Sequence, residues 1–210
     1  MDTRQKSNPP TIECSRNGPY IVRCLESVQS SKGEEIKTKS VMAFCRCGGS
    51  ANKPFCDGTH AKIGFSDEML SDGSKDKWDV HVGKKITIHD NRGICSHAGF
   101  CAVFRIRREP GVDPDSADHE EIIKAVMRCP SGALSYSIDG VEYKDQDRAP
   151  LITVSRNGPY QITGGIELAG VPRSQGSSVE HYTLCRCGGS KTKPFCDGTH
   201  ARIDFKDEKN

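Results

Sequence analysis

Apolar residues along the chain fall in short runs separated by polar, glycine-rich and proline-rich stretches. Thr11-Ile12-Glu13-Cys14 and Tyr20-Ile21-Val22-Arg23-Cys24 lie on either side of Asn17-Gly18, a dipeptide suited to a tight connection, so the pair predicts a β-hairpin. Residues 27–39 and 171–178 are rich in Gly, Ser, Lys or Pro and predict solvated loops. Residues 119–128 read as a helix whose Ile122, Ile123 and Val126 would join Leu134, Val103 and Phe104 in a small core. No apolar run approaches the roughly 20 residues that span a bilayer. Residues 1–10 carry no apolar signal-peptide centre. A cytoplasmic protein that does not engage a membrane is therefore expected.

The pattern occurs twice. Ser15-Arg16-Asn17-Gly18-Pro19-Tyr20 returns unchanged as Ser155-Arg156-Asn157-Gly158-Pro159-Tyr160, and Cys45 through His60 returns as Cys185 through His200 with 14 of 16 residues identical. Both blocks recur at an offset of 140, so the distance between them is kept within each copy and each copy is one folding unit. This predicts β-rich units over residues 11–65 and 151–205, with an insertion over residues 80–147.

Composition narrows the function classes. With 34% hydrophobic and 6% aromatic residues, the chain has little material for one large core. A formal charge of +2 and a pI of about 8.0 give no strong field for nucleic acid or an anionic membrane. Eleven cysteines are an odd number, which fits a disulfide framework poorly and points to metal or cluster binding in a reducing compartment.

Each cysteine block reads Cys-x-Cys, eight residues, then Cys-x-x-x-His. Cys56 and His60 stand at i and i+4, a spacing that converges on one metal from a helical turn, while Cys45 and Cys47 would serve a second. The glycines of Cys45-Arg46-Cys47-Gly48-Gly49-Ser50 allow a tight turn with amide N–H groups directed at an anionic cofactor, and Asp57 can cap the amides of the helix that follows. Three sulfurs and one imidazole also suit zinc, which gives the alternative of a zinc-bound interaction module. Structural zinc sites favour wider Cys-x2-4-Cys knuckles, so the Cys-x-Cys pair favours a cluster.

Lys53-Pro54-Phe55-Cys56-Asp57-Gly58-Thr59-His60 and Lys193-Pro194-Phe195-Cys196-Asp197-Gly198-Thr199-His200 closely resemble the CDGSH iron-sulfur domain of the mitoNEET family, with threonine in place of the serine that names the motif. The resemblance implies two 2Fe-2S clusters, one on Cys45, Cys47, Cys56 and His60, the other on Cys185, Cys187, Cys196 and His200. In that family the Cys-x-Cys pair holds the inner iron and the Cys-His pair the outer one. Because its domains work as twofold homodimers, two copies in one chain imply a monomer with an intramolecular pseudo-twofold pair. The fold class expected is α+β, with an inserted ferredoxin-like segment.

That segment carries Cys95-Ser96-His97-Ala98-Gly99-Phe100-Cys101 and later Cys129-Pro130, which resembles the divergent single-cluster bacterial ferredoxins. Ala98 stands where a four-iron ferredoxin places another cysteine. A third cluster on Cys95, Cys101 and Cys129 would thus be 3Fe-4S, or take His97 as a substitute ligand; the alternative is a scaffold that has lost its cofactor. Arg105, Arg107 and Arg108 could guide an acidic partner, or simply form a solvated face.

Cys14 and Cys24 have Val154 and Gly164 as their counterparts, so they belong to no duplicated site and are expected as buried free thiols. His81, His89, His119 and His181 receive no role. With every proposed site fully ligated by protein and no nucleophile-base pair in view, the expectation is not an enzyme but a carrier of electrons or clusters, serving a redox or cluster-acceptor protein. A neutral imidazole ligand raises the potential and makes the clusters sensitive to acid.

Overall fold

The computed structural model describes residues 8–69, 76–101, 113–116, 118–207 and 209; Val103, Phe104, Arg105, Arg107 and Arg108 lie outside them. Strand β1 (Thr11–Cys14) pairs antiparallel with β2 (Tyr20–Arg23), setting buried Ile12 opposite buried Val22. The connection takes its left-handed backbone at Asn17, φ 50°, and is closed by hydrogen bonds of 3.0 Å from Ser15 N to Pro19 O and from Gly18 N to Ser15 O. Strand β4 (Val41–Phe44) flanks β2, and the first cysteine block follows it, ending in the four-residue helix α1 (Thr59–Lys62). The second copy repeats these elements as β9 (Leu151–Val154), β10 (Tyr160–Thr163), β12 (Tyr182–Leu184) and α3 (Thr199–Arg202).

Each of these sheets gains its fourth strand from the other copy. Strand β11 (Glu167–Ala169) runs parallel to β1, and β3 (Val28–Ser30) runs parallel to β9. The stretch 27–39, expected as a loop, therefore contains a strand. Three residues are too few to show a period, and apart from a short return of the chain at residues 34–36 their ladder partners lie more than a hundred positions away in β9. Residues 171–178 are irregular as expected.

The buried faces of the two copies form one core, with Ile12, Val22, Val28 and Phe44 packed among Ile152, Ile162, Leu168 and Leu184. Tyr20 and Tyr160 meet edge to face at 6.0 Å within it. Each hydroxyl crosses to the other copy: Tyr20 donates to the carbonyls of Cys185 (2.8 Å) and Pro194 (3.0 Å), and Tyr160 to those of Cys45 (2.8 Å) and Pro54 (3.0 Å). The backbone of one cysteine block is thus held by the core tyrosine of the other copy.

The insertion has its own sheet, an antiparallel meander of β5 (Trp78–Val82), β6 (Thr87–Asn91), β7 (Leu134–Ile138) and β8 (Val141–Tyr143). Helix α2 (His119–Met127) starts where the Asp118 carboxylate accepts from Glu120 N at 2.8 Å, and lays Ile122, Ala125 and Val126 on Ile86, Ile88 and Leu134. The chain leaving it is tied to the second copy by Arg148, whose guanidinium donates twice to the buried Glu180, while Gly164 N donates to the same carboxylate at 2.8 Å. Burial alone would raise the Glu180 pKa; the hydrogen bonds from Arg148 and Gly164 outweigh it and pull the carboxyl down to about 2.

Candidate metal centres

The first centre is built where β4 delivers Cys45 beside the return of the chain at Cys56. Hydrogen bonds of 2.8 Å from Cys45 N to Pro54 O and from Cys56 N to Ala43 O hold the two stretches side by side. Cys45 Sγ and Cys47 Sγ stand 3.8 Å apart, and Cys56 Sγ lies 3.3 Å from His60 Nδ1. The second centre repeats this, with Cys185 Sγ and Cys187 Sγ at 3.7 Å and Cys196 Sγ and His200 Nδ1 at 3.3 Å. Two sulfurs about 2.3 Å from one tetrahedral ion stand about 3.8 Å apart, and a sulfur and an imidazole nitrogen about 3.6 Å, so the Cys–Cys pairs match one ion and the Cys–His pairs come close to it. Yet no three donor atoms of either centre lie within 4.8 Å of one another; among the described residues that closeness belongs to Asp145, Glu180 and His181, whose Glu180 is already engaged by Arg148.

Backbone amides face the sulfurs. Gly49 N and Gly58 N donate to Cys47 and Cys56 at 3.4 and 3.5 Å, and Gly189 N and Gly198 N to Cys187 and Cys196 at the same distances. The Cys185 thiol is pulled below the usual range by its bond with Cys187, and by the amides of Ser190 and Gly188, against its own burial. The same bond pushes its partner Cys187 up, and burial raises Cys47 and Cys196, so the amides offset only part of what burying the thiols costs.

Cys56 and His60 do not share a helical turn, although their spacing predicts one. Helix α1 begins at Thr59 after Gly58, whose φ of 87° folds Cys56 back toward His60. Gly58 occupies the N-cap position without a capping side chain. Asp57, one residue earlier, accepts from Thr59 N at 3.0 Å and from Ala51 N at 2.8 Å, which ties the helix to the glycine loop. Hydrogen bonds from the Thr59 hydroxyl and from both amides hold its carboxyl well below the usual range.

Two features escaped the sequence reading. The arginine between the paired cysteines is buried in both copies: Arg46 bonds Asp67 at 3.1 Å and lies over the Tyr20 ring, and Arg186 bonds Asp207 and lies over the rings of Tyr160 and Phe205. The signal was present, since Arg and Asp both recur at the offset of 140. The second is that the two Cys-x-Cys loops touch through a backbone bridge between Cys47 and Cys187. A Cβ on Gly48 would meet Cys187 O at 2.6 Å, and one on Gly188 would meet Cys47 O at 2.5 Å.

In the insertion, Cys95, Cys101 and Cys129, all buried, line one small pocket together with Ala98. Arg92 directs its guanidinium at Cys95 Sγ, 3.6 Å away. His97 is not among the residues lining that pocket; its ring lies against Gly198 of the second centre. Cys14 is half-buried, but Cys24 is exposed, contrary to expectation, because a φ of 55° ends β2 there and turns the residue outward. His89, His119 and His181 have local partners in Ser137, Asp115 and Ser178, and His81 lies in β5.

Residues 17–61 and 157–201 match the family described as iron-binding zinc finger CDGSH type, and residues 81–139 match the family described as divergent 4Fe-4S mono-cluster. The chain is also 36% identical over 75 residues to proteins named Uncharacterized protein YjdI from Escherichia coli K12 and O157:H7, a match covering 33% of this chain and 95% of each relative. Among the described residues no helix is long and apolar enough to cross a membrane.

Proposed function

This chain belongs to the CDGSH-type iron-binding family, with a divergent 4Fe-4S segment set between its two units, and we propose that each unit holds a 2Fe-2S cluster on three thiolates and one imidazole. Both matched families indicate iron-sulfur cluster binding. The observation that carries the two-iron reading is the grouping of donors: a Cys–Cys pair and a Cys–His pair, each close enough for one ion, yet with no three donors within 4.8 Å. A zinc module needs all four donors around a single tetrahedral ion.

Cys45, Cys47, Cys56 and His60 would hold one cluster, and Cys185, Cys187, Cys196 and His200 the other. Bound there, a 2Fe-2S group supplies one-electron exchange at a potential raised by its neutral ligand. The chain sets its surroundings through the glycine amides on the sulfurs and the buried arginines behind them. We read the protein as a non-enzymatic carrier of electrons or clusters, acting in the cytoplasm on a redox or cluster-acceptor protein. We also read residues 11–65 and 151–205 as an intramolecular pseudo-twofold pair within a monomer, and residues 80–147 as a ferredoxin-like insertion. The reciprocal strands β3 and β11 and the crossed tyrosines support the pairing. Three cysteines around one pocket, with Ala98 at the fourth place, support a 3Fe-4S cluster in the insertion, whereas its family's description names a 4Fe-4S type.

Iron and sulfide analysis of anaerobically purified protein tests this. About four irons per chain correspond to two 2Fe-2S clusters, about seven add a 3Fe-4S cluster and about eight a 4Fe-4S cluster. A colourless, zinc-loaded protein overturns the reading. Protonating a histidine ligand costs an iron its bond, so visible absorbance is expected to fall on acidification in the wild type and to persist in a His60→Cys, His200→Cys variant. Equal loss in both proteins refutes the histidine's part.

A further inference from the structure

The two CDGSH centres differ by two residues in sixteen, yet they sit in different surroundings. Cys187 and Cys196 are 9% and 3% exposed, while Cys47 and Cys56 are half-buried. The difference persists along the motif: Asp57 is exposed, and Gly58 and Thr59 are half-buried, whereas Asp197 is half-buried and Gly198 and Thr199 are buried. At Gly198 the insertion makes the difference. A Cβ on Gly198 would meet the Cδ2, Cβ and Cγ of His97 at 2.9, 3.0 and 3.2 Å; one on Gly58 would meet nothing within 4 Å among the described residues.

His97 is held in that position from behind. Its backbone N donates to Cys95 Sγ at 3.4 Å, in the cysteine pocket of the insertion, and on its far side Gly198 N donates to Cys196 Sγ at 3.5 Å. Burial raises the Cys196 thiol, and Cys95 is near enough to add to the rise. A short turn, anchored on one set of candidate ligands, thus sits on the ligand loop of another.

We propose that the turn Cys95-Ser96-His97 is a fixed cover over the second CDGSH centre, with His97 as its sealing residue, so that the second centre retains its cluster while the first meets external partners and reagents. The inference rests on the reading of both centres as cluster sites. Within that reading it assigns the exchanging role to the first unit, and it gives the insertion a task that needs no cluster of its own.

The test follows cluster loss to an iron chelator by visible absorbance in the full-length, cluster-loaded chain. At the CDGSH clusters wild type is expected to bleach in two phases of similar amplitude, beside any phase from the insertion that a Cys101→Ala variant removes. A Cys56→Ser variant, which lacks the first cluster, should lose the fast phase and keep the slow one. His97→Ala should convert the slow phase to the fast rate, while His97→Phe, which keeps a ring over Gly198, should restore slow loss. A single rate in wild type, or a slow phase unchanged by His97→Ala, overturns the proposal. A second measurement reads the cover without metal: in cluster-free protein, alkylation should reach Cys56 before Cys196, and His97→Ala should speed Cys196 alone. If neither unit binds iron, the cluster reading fails by itself, and the order of alkylation still decides whether the cover exists; equal rates at the two cysteines count against it.

Discussion

Asp207→Ala lowers the stability of the cluster-loaded protein by about 3–5 kcal/mol, the cost of leaving a buried charge without its partner. The Arg186 and Asp207 side chains are 1% and 2% exposed, so bulk solvent does not screen the guanidinium left behind. Arg186 keeps the carbonyls of Gly158 and Ser155, each at 2.7 Å, but these dipoles do not neutralise it. Because Arg186 lies between Cys185 and Cys187, its displacement also disturbs the loop that carries both thiols. The corresponding change Asp67→Ala costs less, since Asp67 is 24% exposed and solvent can reach the gap beside Arg46. Denaturant unfolding compares the two variants; a loss within about 0.5 kcal/mol for Asp207→Ala, the range of ordinary surface changes, contradicts the account.

Gly188→Ala is expected to damage both centres at once, although the residue belongs to the second. At φ 77° the new side chain costs about 1–3 kcal/mol in backbone strain alone. Its Cβ would also stand 2.5 Å from Cys47 O and 2.9 Å from Cys47 C, backbone atoms that cannot swing aside as a flexible side chain can. The loops must separate, and the bridge that moves contains Cys47 of one centre and Cys187 of the other. Gly33→Ala separates strain from collision, since Gly33 has a similar φ of 81° with nothing within 4 Å among the described residues. Iron content and visible absorbance are expected to drop by more than one cluster's share in Gly188→Ala and to stay near wild type in Gly33→Ala. Equal behaviour of the two variants would remove the argument that the loops are braced on each other.

Much of the molecule was legible because its signals are local or repeated. The hairpin around Asn17-Gly18 needs residues a few positions apart, and α2 announces itself by the spacing of Ile122 and Val126 behind an Asp cap. Cysteine and histidine spacing marked side chains that stand in close pairs in the structure, and the constant offset marked the elements that recur in both copies. The misreadings share a different origin. Strand β3 was hidden in a polar stretch because its three-residue ladder is made with β9 in the other copy. Cys24 was judged by residue type, while its exposure depends on the turn that ends β2. Arg46 and Arg186 look like surface charges until the tyrosine rings and distant aspartates that bury them are in place.

The amino-acid sequence by itself determined the candidate donor atoms, their spacing, the duplication and the local turns, because each of these depends on covalent neighbours. The tertiary structure alone decided that the copies exchange strands, that their glycine loops brace each other, and that near-identical motifs lie in unequal surroundings. Burial is set by what packs from outside the motif, and His97, some hundred residues from Gly198 along the chain, lies against it only after folding.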